Sequence, residues 1–125
     1  MWWLKLKRRV ENPVIREAVK KIRTVSKTGN KNFWSNIEEM ILKPRSRRPE
    51  VNIGKISKLT KENDIVLVPG KLLGDGILDH PVTVSALFAS KSAIRKVQEA
   101  GGTYLPLTEF VDRFPDGSNV KVLGG

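Results

Sequence analysis

The sequence predicts an α/β fold, with a basic N-terminal arm and two helices leading into a domain built on a small sheet. Three observations predict it. Apolar residues recur at helical spacing between Val14 and Ile41. β-branched apolar runs ended by Pro or Gly appear only after Val51. From there on, helical stripes alternate with those runs. The chain has 125 residues, 39% of them hydrophobic. That length suits one core plus an arm, because a domain of this size hides roughly two thirds of its unfolded surface.

Residues 1–11 read as a basic arm. Asn12-Pro13 is a helix start, with Asn as N-cap and Pro where no N–H is missed. Val14, Ile15, Ala18, Val19, Ile22 and Val25 make one apolar stripe, and Thr28-Gly29-Asn30 marks the helix end. A second helix is expected from Phe33 to about Lys43, capped by Ser35 with Glu38 at capping-box spacing, or by Asn32. Phe33, Trp34, Ile37, Met40 and Ile41 form its core face, and Pro44 stops it. The run Lys43-Pro44-Arg45-Ser46-Arg47-Arg48-Pro49 carries two prolines and no large apolar residue, and is expected to be extended.

Val51-Asn52-Ile53 reads as a short strand followed by a helical turn through Ile56 and Leu59. Ile65 to Val68 is a buried strand that Pro69-Gly70 should end, leaving Lys71 to Gly76 as a turn. Val82 to Ala89 is a second strand. Ser90 caps a helix through Ala93, Ile94, Val97 and Ala100, which Gly101-Gly102 ends. Thr103 to Leu107 is a third strand, Thr108 caps a short helix to Phe114, and Pro115-Asp116-Gly117 turns the chain into a last strand at Val120 to Leu123. The resulting division is residues 1–50, with the arm and two helices, and residues 51–125, the α/β part, packed as one unit.

Charge points to a partner. Residues 1–48 hold fourteen Lys and Arg against four acids, whereas residues 49–125 hold nine of each sign, so the whole net charge of +10 lies in the first part. Solubility needs no such asymmetry; a polyanion at one end of the molecule does. Lysine and arginine neutralise phosphates and release counterions, and arginine adds planar bidentate contacts. Residues 1–50 are therefore expected to face RNA. No helix-turn-helix, zinc finger or zipper points to DNA. The charged run has no large apolar residue to insert into a membrane surface. Charges follow rather than precede Met1-Trp2-Trp3-Leu4, which argues against an export signal and for a cytoplasmic protein.

Catalytic patterns do not assemble. Gly70-Lys71 lacks the earlier glycine and the following hydroxyl of a phosphate-binding loop. Cysteine is absent and His80 is the only histidine, so neither a thiolate nor an imidazole metal site is expected. His80 sits in a polar turn with Asp79 beside it, and only Asp75 and Ser85 are other nearby names for acid–base work. Phe33 and Trp34 begin an apolar stripe and read as core rather than as base-stacking residues; Trp2 and Trp3 have no periodic context.

Several blocks together resemble a known family. Asn12-Pro13, Phe33-Trp34, the stretch from Arg45-Ser46-Arg47-Arg48-Pro49 to Ile56, the stretch from Val68-Pro69-Gly70-Lys71 to Gly76, Ala100-Gly101-Gly102 and Pro115-Asp116-Gly117 are similar to the archaeal and eukaryotic large-subunit ribosomal protein eighteen over residues 12–125. The short length is closer to the archaeal form, and residues 1–11 depart from the pattern. The resemblance implies an irregular β-β-α superhelical domain shared with bacterial large-subunit protein fifteen. It also implies a structural role on large-subunit ribosomal RNA beside neighbouring ribosomal proteins. No catalysis, cofactor, metal or small-molecule substrate is expected. The RNA-binding residues are expected to be Lys7, Arg8, Arg9, Arg16, Lys20, Lys21, Arg23, Lys27, Lys31, Lys43, Arg45, Arg47, Arg48, Asn52, Lys55 and Lys71. The alternative is a non-ribosomal nucleic-acid-binding protein, such as a chaperone or repressor; a third reading is a small hydrolase using His80 and Asp75.

Overall fold

A computed structural model describes residues 12–27, 29–117 and 119–124, with the side chain of Arg45 left out. In chain order the elements are α1 (Pro13–Ser26), α2 (Lys31–Ile41), a 3-10 turn (Arg45–Arg47), β1 (Glu50–Asn52), α3 (Ile53–Leu59), β2 (Ile65–Leu73), β3 (Thr83–Ala89), α4 (Lys91–Glu99), β4 (Thr103–Pro106), α5 (Leu107–Arg113) and β5 (Val120–Val122). The α/β expectation holds. All strand pairings among these elements are parallel, in the order β1-β2-β3-β4, with β5 also on β2. The pairs Lys71–Leu73 with β1 and Ile65–Leu67 with β5 share one edge of β2, and β3 takes the other.

β2 is buried on both faces, as a parallel strand between helical layers must be. Side-chain alternation splits it. Leu67 faces a core shared with Leu87, Leu105 and Ile15, Val19, Ile22, Trp34, Ile37 and Phe110 of α1, α2 and α5. Val66 and Val68 face a second core with Val84, Ala86 and Ile56, Ala93 and Val97 of α3 and α4. The first core holds the largest side chain. Trp34 is fully buried, packs edge-on to Phe33 at 4.8 Å and Phe110 at 6.4 Å, and donates Nε1–H to the Pro115 carbonyl at 2.6 Å. The Pro115-Asp116-Gly117 turn is thus a lid on α2. Gly117 has φ +65° directly beneath the Phe33 ring, where a Cβ has neither room nor an easy backbone conformation.

Several boundaries differ from the sequence reading. α2 starts at Lys31, capped by Asn30, whose side chain accepts from Phe33 N–H at 3.2 Å; neither Asn32 nor Ser35 caps it. α5 starts at Leu107 after Pro106, without a side-chain cap from Thr108. Residues 44–48 are not extended, because the Pro44 carbonyl accepts from both Arg47 N–H (2.8 Å) and Arg48 N–H (3.2 Å). Pro69-Gly70 does not end β2. The ladder to β3 jumps from Val68↔Ala86 to Lys71↔Phe88, so Pro69 and Gly70 together oppose Leu87 in a bulge. Lys71 is accordingly on a strand, not in a turn, and its N–H donates to the Pro49 carbonyl at 2.9 Å.

β2 and β3 are joined through residues 74–82 without a helix, so this link must be held from outside. The Asp75 carbonyl accepts from Gly54 N–H at 2.9 Å. The Lys96 ammonium reaches the Gly74 carbonyl at 2.5 Å and the Gly76 carbonyl at 2.7 Å. His80 Nδ1 lies 2.6 Å from Asp79 Oδ1 and Nε2 lies 2.8 Å from the buried Thr60 hydroxyl, while Ser57 donates to the same carboxylate oxygen at 3.0 Å. A carboxylate only accepts, so Nδ1 carries the proton it shares with Asp79.

Two predictions follow from this packing. Trp34→Ala should cost about 3–5 kcal/mol in chemical unfolding, and Trp34→Phe about 1–3, since the Pro115 carbonyl loses its donor. The second concerns acid. Hydrogen bonds from His80 and Ser57 hold Asp79 below its ordinary 3.8, and those from Lys121 and Lys61 do the same for Asp64. A depressed carboxylate stabilises the fold fully above its unfolded value and loses that contribution as pH falls below it. The unfolding midpoint should therefore drop as pH passes 3.8 downward, and Asp79→Asn should flatten part of that drop.

Candidate nucleic-acid interface

α1 forms because Asn12 caps it, accepting from Val14 N–H at 2.9 Å, with Pro13 at its first position. Ile15, Ala18, Val19 and Ile22 are buried against the sheet. That buried stripe fixes the direction of the cations. Arg16, Lys20, Arg23 and Lys27 stand at i, i+4, i+7 and i+11, one line along a flank of the helix, and Lys20 and Lys27 are exposed. Arg23 is already engaged: its Nε is 2.6 Å and a terminal nitrogen 3.0 Å from the two oxygens of Glu38, a bidentate clamp between α1 and α2. Lys21 falls on the other flank and meets Asp112 of α5 at 2.6 Å, with both side chains open to solvent at 42% and 61%. Lys31, at the start of α2, is exposed.

The second group gathers at the end of the sheet. Arg48 lies over the Phe88 ring, its guanidinium carbon 5.6 Å from the centroid. Arg48, Lys71, Phe88, Glu50 and Asn12 line a cleft of about 420 Å³. The β2 bulge creates this meeting, since it sets Lys71 opposite Phe88 at the strand ends. Gly70 is required there, because a side chain would run into the Pro49 carbonyl. Lys43 and Arg47, which precede Arg48 in the chain, are exposed.

The remaining expected residues are dispersed. Asn52 ends β1 and is exposed, and Lys55 is exposed on α3, across the sheet from α1. Lys7, Arg8 and Arg9 lie outside the described residues, as do Trp2 and Trp3. Phe88, Glu50 and Asn12 were not expected in any site. Phe88 had one local signal, an aromatic ending an aliphatic strand beside Ala89, whereas Glu50 and Asn12 had none.

The hydrolase reading is not assembled. His80 meets Asp79 and Thr60. Ser85 is buried within β3, and the Thr60 hydroxyl donates to the Ile56 carbonyl at 2.6 Å. Among the described residues, no helix is long and apolar enough to cross a membrane, and no group of three His, Asp or Glu is placed to hold a metal.

Comparison with known proteins bears on the basic surface. The family model described as "Ribosomal protein 60S L18 and 50S L18e" matches residues 4–125. "Large ribosomal subunit protein eL18" of Sulfurisphaera tokodaii is 44% identical over 107 residues, 86% of this chain and 91% of the relative. The protein of the same name from Pyrobaculum aerophilum is 38% identical over 112 residues, 90% and 92% of the two chains. That from Archaeoglobus fulgidus is 36% identical over 115 residues, 92% and 98%. With almost its whole length matched, the chain belongs to the L18/L18e family of large-subunit ribosomal proteins.

Proposed function

We propose that the chain is a structural constituent of the large ribosomal subunit, holding large-subunit ribosomal RNA against its basic N-terminal part. One observation carries the reading: a +10 excess is confined to residues 1–48, part of it set on the outer side of α1, whose inner side is core. Its relatives are named as large-subunit proteins, and the family is one of ribosomal proteins rather than enzymes. The same role implies the cytoplasm as its place of work and other ribosomal proteins as neighbours.

Phosphate contact is assigned to the α1 line (Arg16, Lys20 and Lys27), to Lys31, Lys43, Arg45 and Arg47 that follow, to Arg48 and Lys71 at the cleft, and to Lys7, Arg8 and Arg9 of the arm. Arg23 acts first as a clamp on Glu38. Lys21 keeps its value for RNA, because an exposed ion pair contributes only about 0–1 kcal/mol and a phosphate can replace Asp112. Asn52 and Lys55 would need RNA that wraps round to the α3 side.

The test is a salt titration of the full chain on a large-subunit RNA fragment. Neutralising ~6–10 phosphates should lower affinity by about three to five decades between ~50 and ~200 mM salt. Lys27→Gln and Arg47→Gln should each reduce the slope of log affinity against log salt by roughly 0.7–0.9 while leaving stability unchanged. Arg23→Gln should instead lower the unfolding midpoint. Flat affinity across the salt range removes the electrostatic reading. Co-sedimentation with other nucleic acid but not with large subunits would favour a non-ribosomal binder. His80→Ala should leave subunit incorporation intact, since His80 pins a loop rather than touching RNA.

A further inference from the structure

We infer that the cleft between Arg48, Lys71 and Phe88 receives one unpaired ribonucleotide of the ribosomal RNA, its base stacked on the Arg48 guanidinium. The inference rests on the RNA-binding role proposed above and names what one part of that surface takes. Four features of the cleft carry it.

The first is the platform. Arg48 lies over the Phe88 ring at 5.6 Å, and Phe88 is itself packed against the first core. A guanidinium backed by an anchored ring is held in place, and guanidinium planes and aromatic rings are the surfaces on which splayed bases stack. The second is charge. Arg48 and the exposed Lys71 supply two cations for the flanking phosphates, while Glu50 supplies an acceptor-only group. A carboxylate suits a ribose 2′-hydroxyl or an exocyclic amine, not a phosphate. The third is size: a cleft of about 420 Å³ admits a single nucleotide and excludes a helix of RNA. The fourth is continuity. Asn12, which caps α1, is part of the wall, so a strand tracking the cations of α1 arrives here.

Arg48→Lys separates stacking from charge, because lysine keeps the cation and loses the plane. It should weaken binding of the full chain to the large-subunit RNA fragment by about 5- to 100-fold at every salt concentration, with the salt slope unchanged. Phe88→Leu, which keeps apolar bulk, should do the same if its melting curve matches the unsubstituted chain. Lys71→Gln should lower the slope instead. Ultraviolet cross-linking of the unsubstituted complex, read by mass spectrometry, should place a nucleotide adduct on a peptide that lines the cleft, one containing Arg48, Lys71 or Phe88. That readout decides the matter if Phe88→Leu proves unstable. Affinity of Arg48→Lys equal to that of the unsubstituted chain, or adducts confined to α1, overturns the nucleotide site and leaves the RNA-binding reading standing. A protein cross-link from Lys71 in reconstituted subunits, without any nucleotide adduct on this cleft, also overturns it. Failure of the unsubstituted chain to bind the fragment in a salt-dependent way overturns the broader reading.

Discussion

A parallel strand paired on both edges and buried on both faces has to be covered by helices on each side, and β2 imposes that condition here. Val66 and Val68 point one way and Leu67 the other, all without solvent exposure. Two layers of helix must meet them. The N-terminal helices are therefore not an appendage that happens to carry charge. Ile15, Val19, Ile22, Trp34, Ile37 and Ile41 complete the first core, and without them Leu67, Leu87 and Leu105 would face water. Burying the apolar side of α1 is also what aligns its cations. The hydrophobic stripe orients the helix, and the orientation lines up Arg16, Lys20, Arg23 and Lys27. The cationic side and the core side belong to one helix, so the N-terminal helices cannot be detached from the sheet without exposing its core.

Polar contacts tie the elements together within each layer. Trp34 Nε1–H on the Pro115 carbonyl joins α2 to the turn after α5, and Arg23 on Glu38 joins α1 to α2. On the opposite layer, Lys96 and His80 hold the helix-free link between β2 and β3. Trp34 and Lys96 thereby satisfy backbone carbonyls that an irregular segment would otherwise leave to water. The Pro115-Asp116-Gly117 and Gly74-Asp75-Gly76 motifs are accounted for in this way, as pieces of architecture. Neither needs a role on RNA.

Sequence reasoning succeeded where the signal is local. Asn12-Pro13 and the Ile15 to Ile22 stripe specify α1, Ser90 caps α4 with its hydroxyl on Ala93 N–H at 3.2 Å, and the β-branched runs mark β2 and β3. It erred where a distant partner decides. Asn30 looks like the end of α1, yet it caps α2, because the linker is too short for separate stop and start residues. Pro69-Gly70 has turn chemistry, but with the Pro49 carbonyl receiving Lys71 N–H the ladder resumes after a bulge. Pro44 was expected to keep its segment extended, whereas its carbonyl closes a 3-10 turn. The site shows the same division. The cationic excess was legible as charge counts, but the pairing of Arg23 with Glu38 and of Lys21 with Asp112 depends on helix packing. The meeting of Arg48, Lys71 and Phe88 depends on strand register.

Those ion pairs bear on how the free and bound proteins respond to salt. A chain of +10 repels itself when free, and along α1 like charges recur one turn apart. Glu38 and Asp112 relieve part of that repulsion from within. RNA relieves the rest, and does so far more strongly, because phosphates are dense and their counterions are released on contact. Added salt thus acts with opposite sign on the two states. It screens repulsion in the free chain, over a Debye length of about 8–10 Å near physiological strength, and it weakens the complex by opposing counterion release. A protein balanced in this way is least comfortable alone at low salt, where its affinity for RNA is highest. The same charges that burden the isolated fold are the ones that drive it onto its partner.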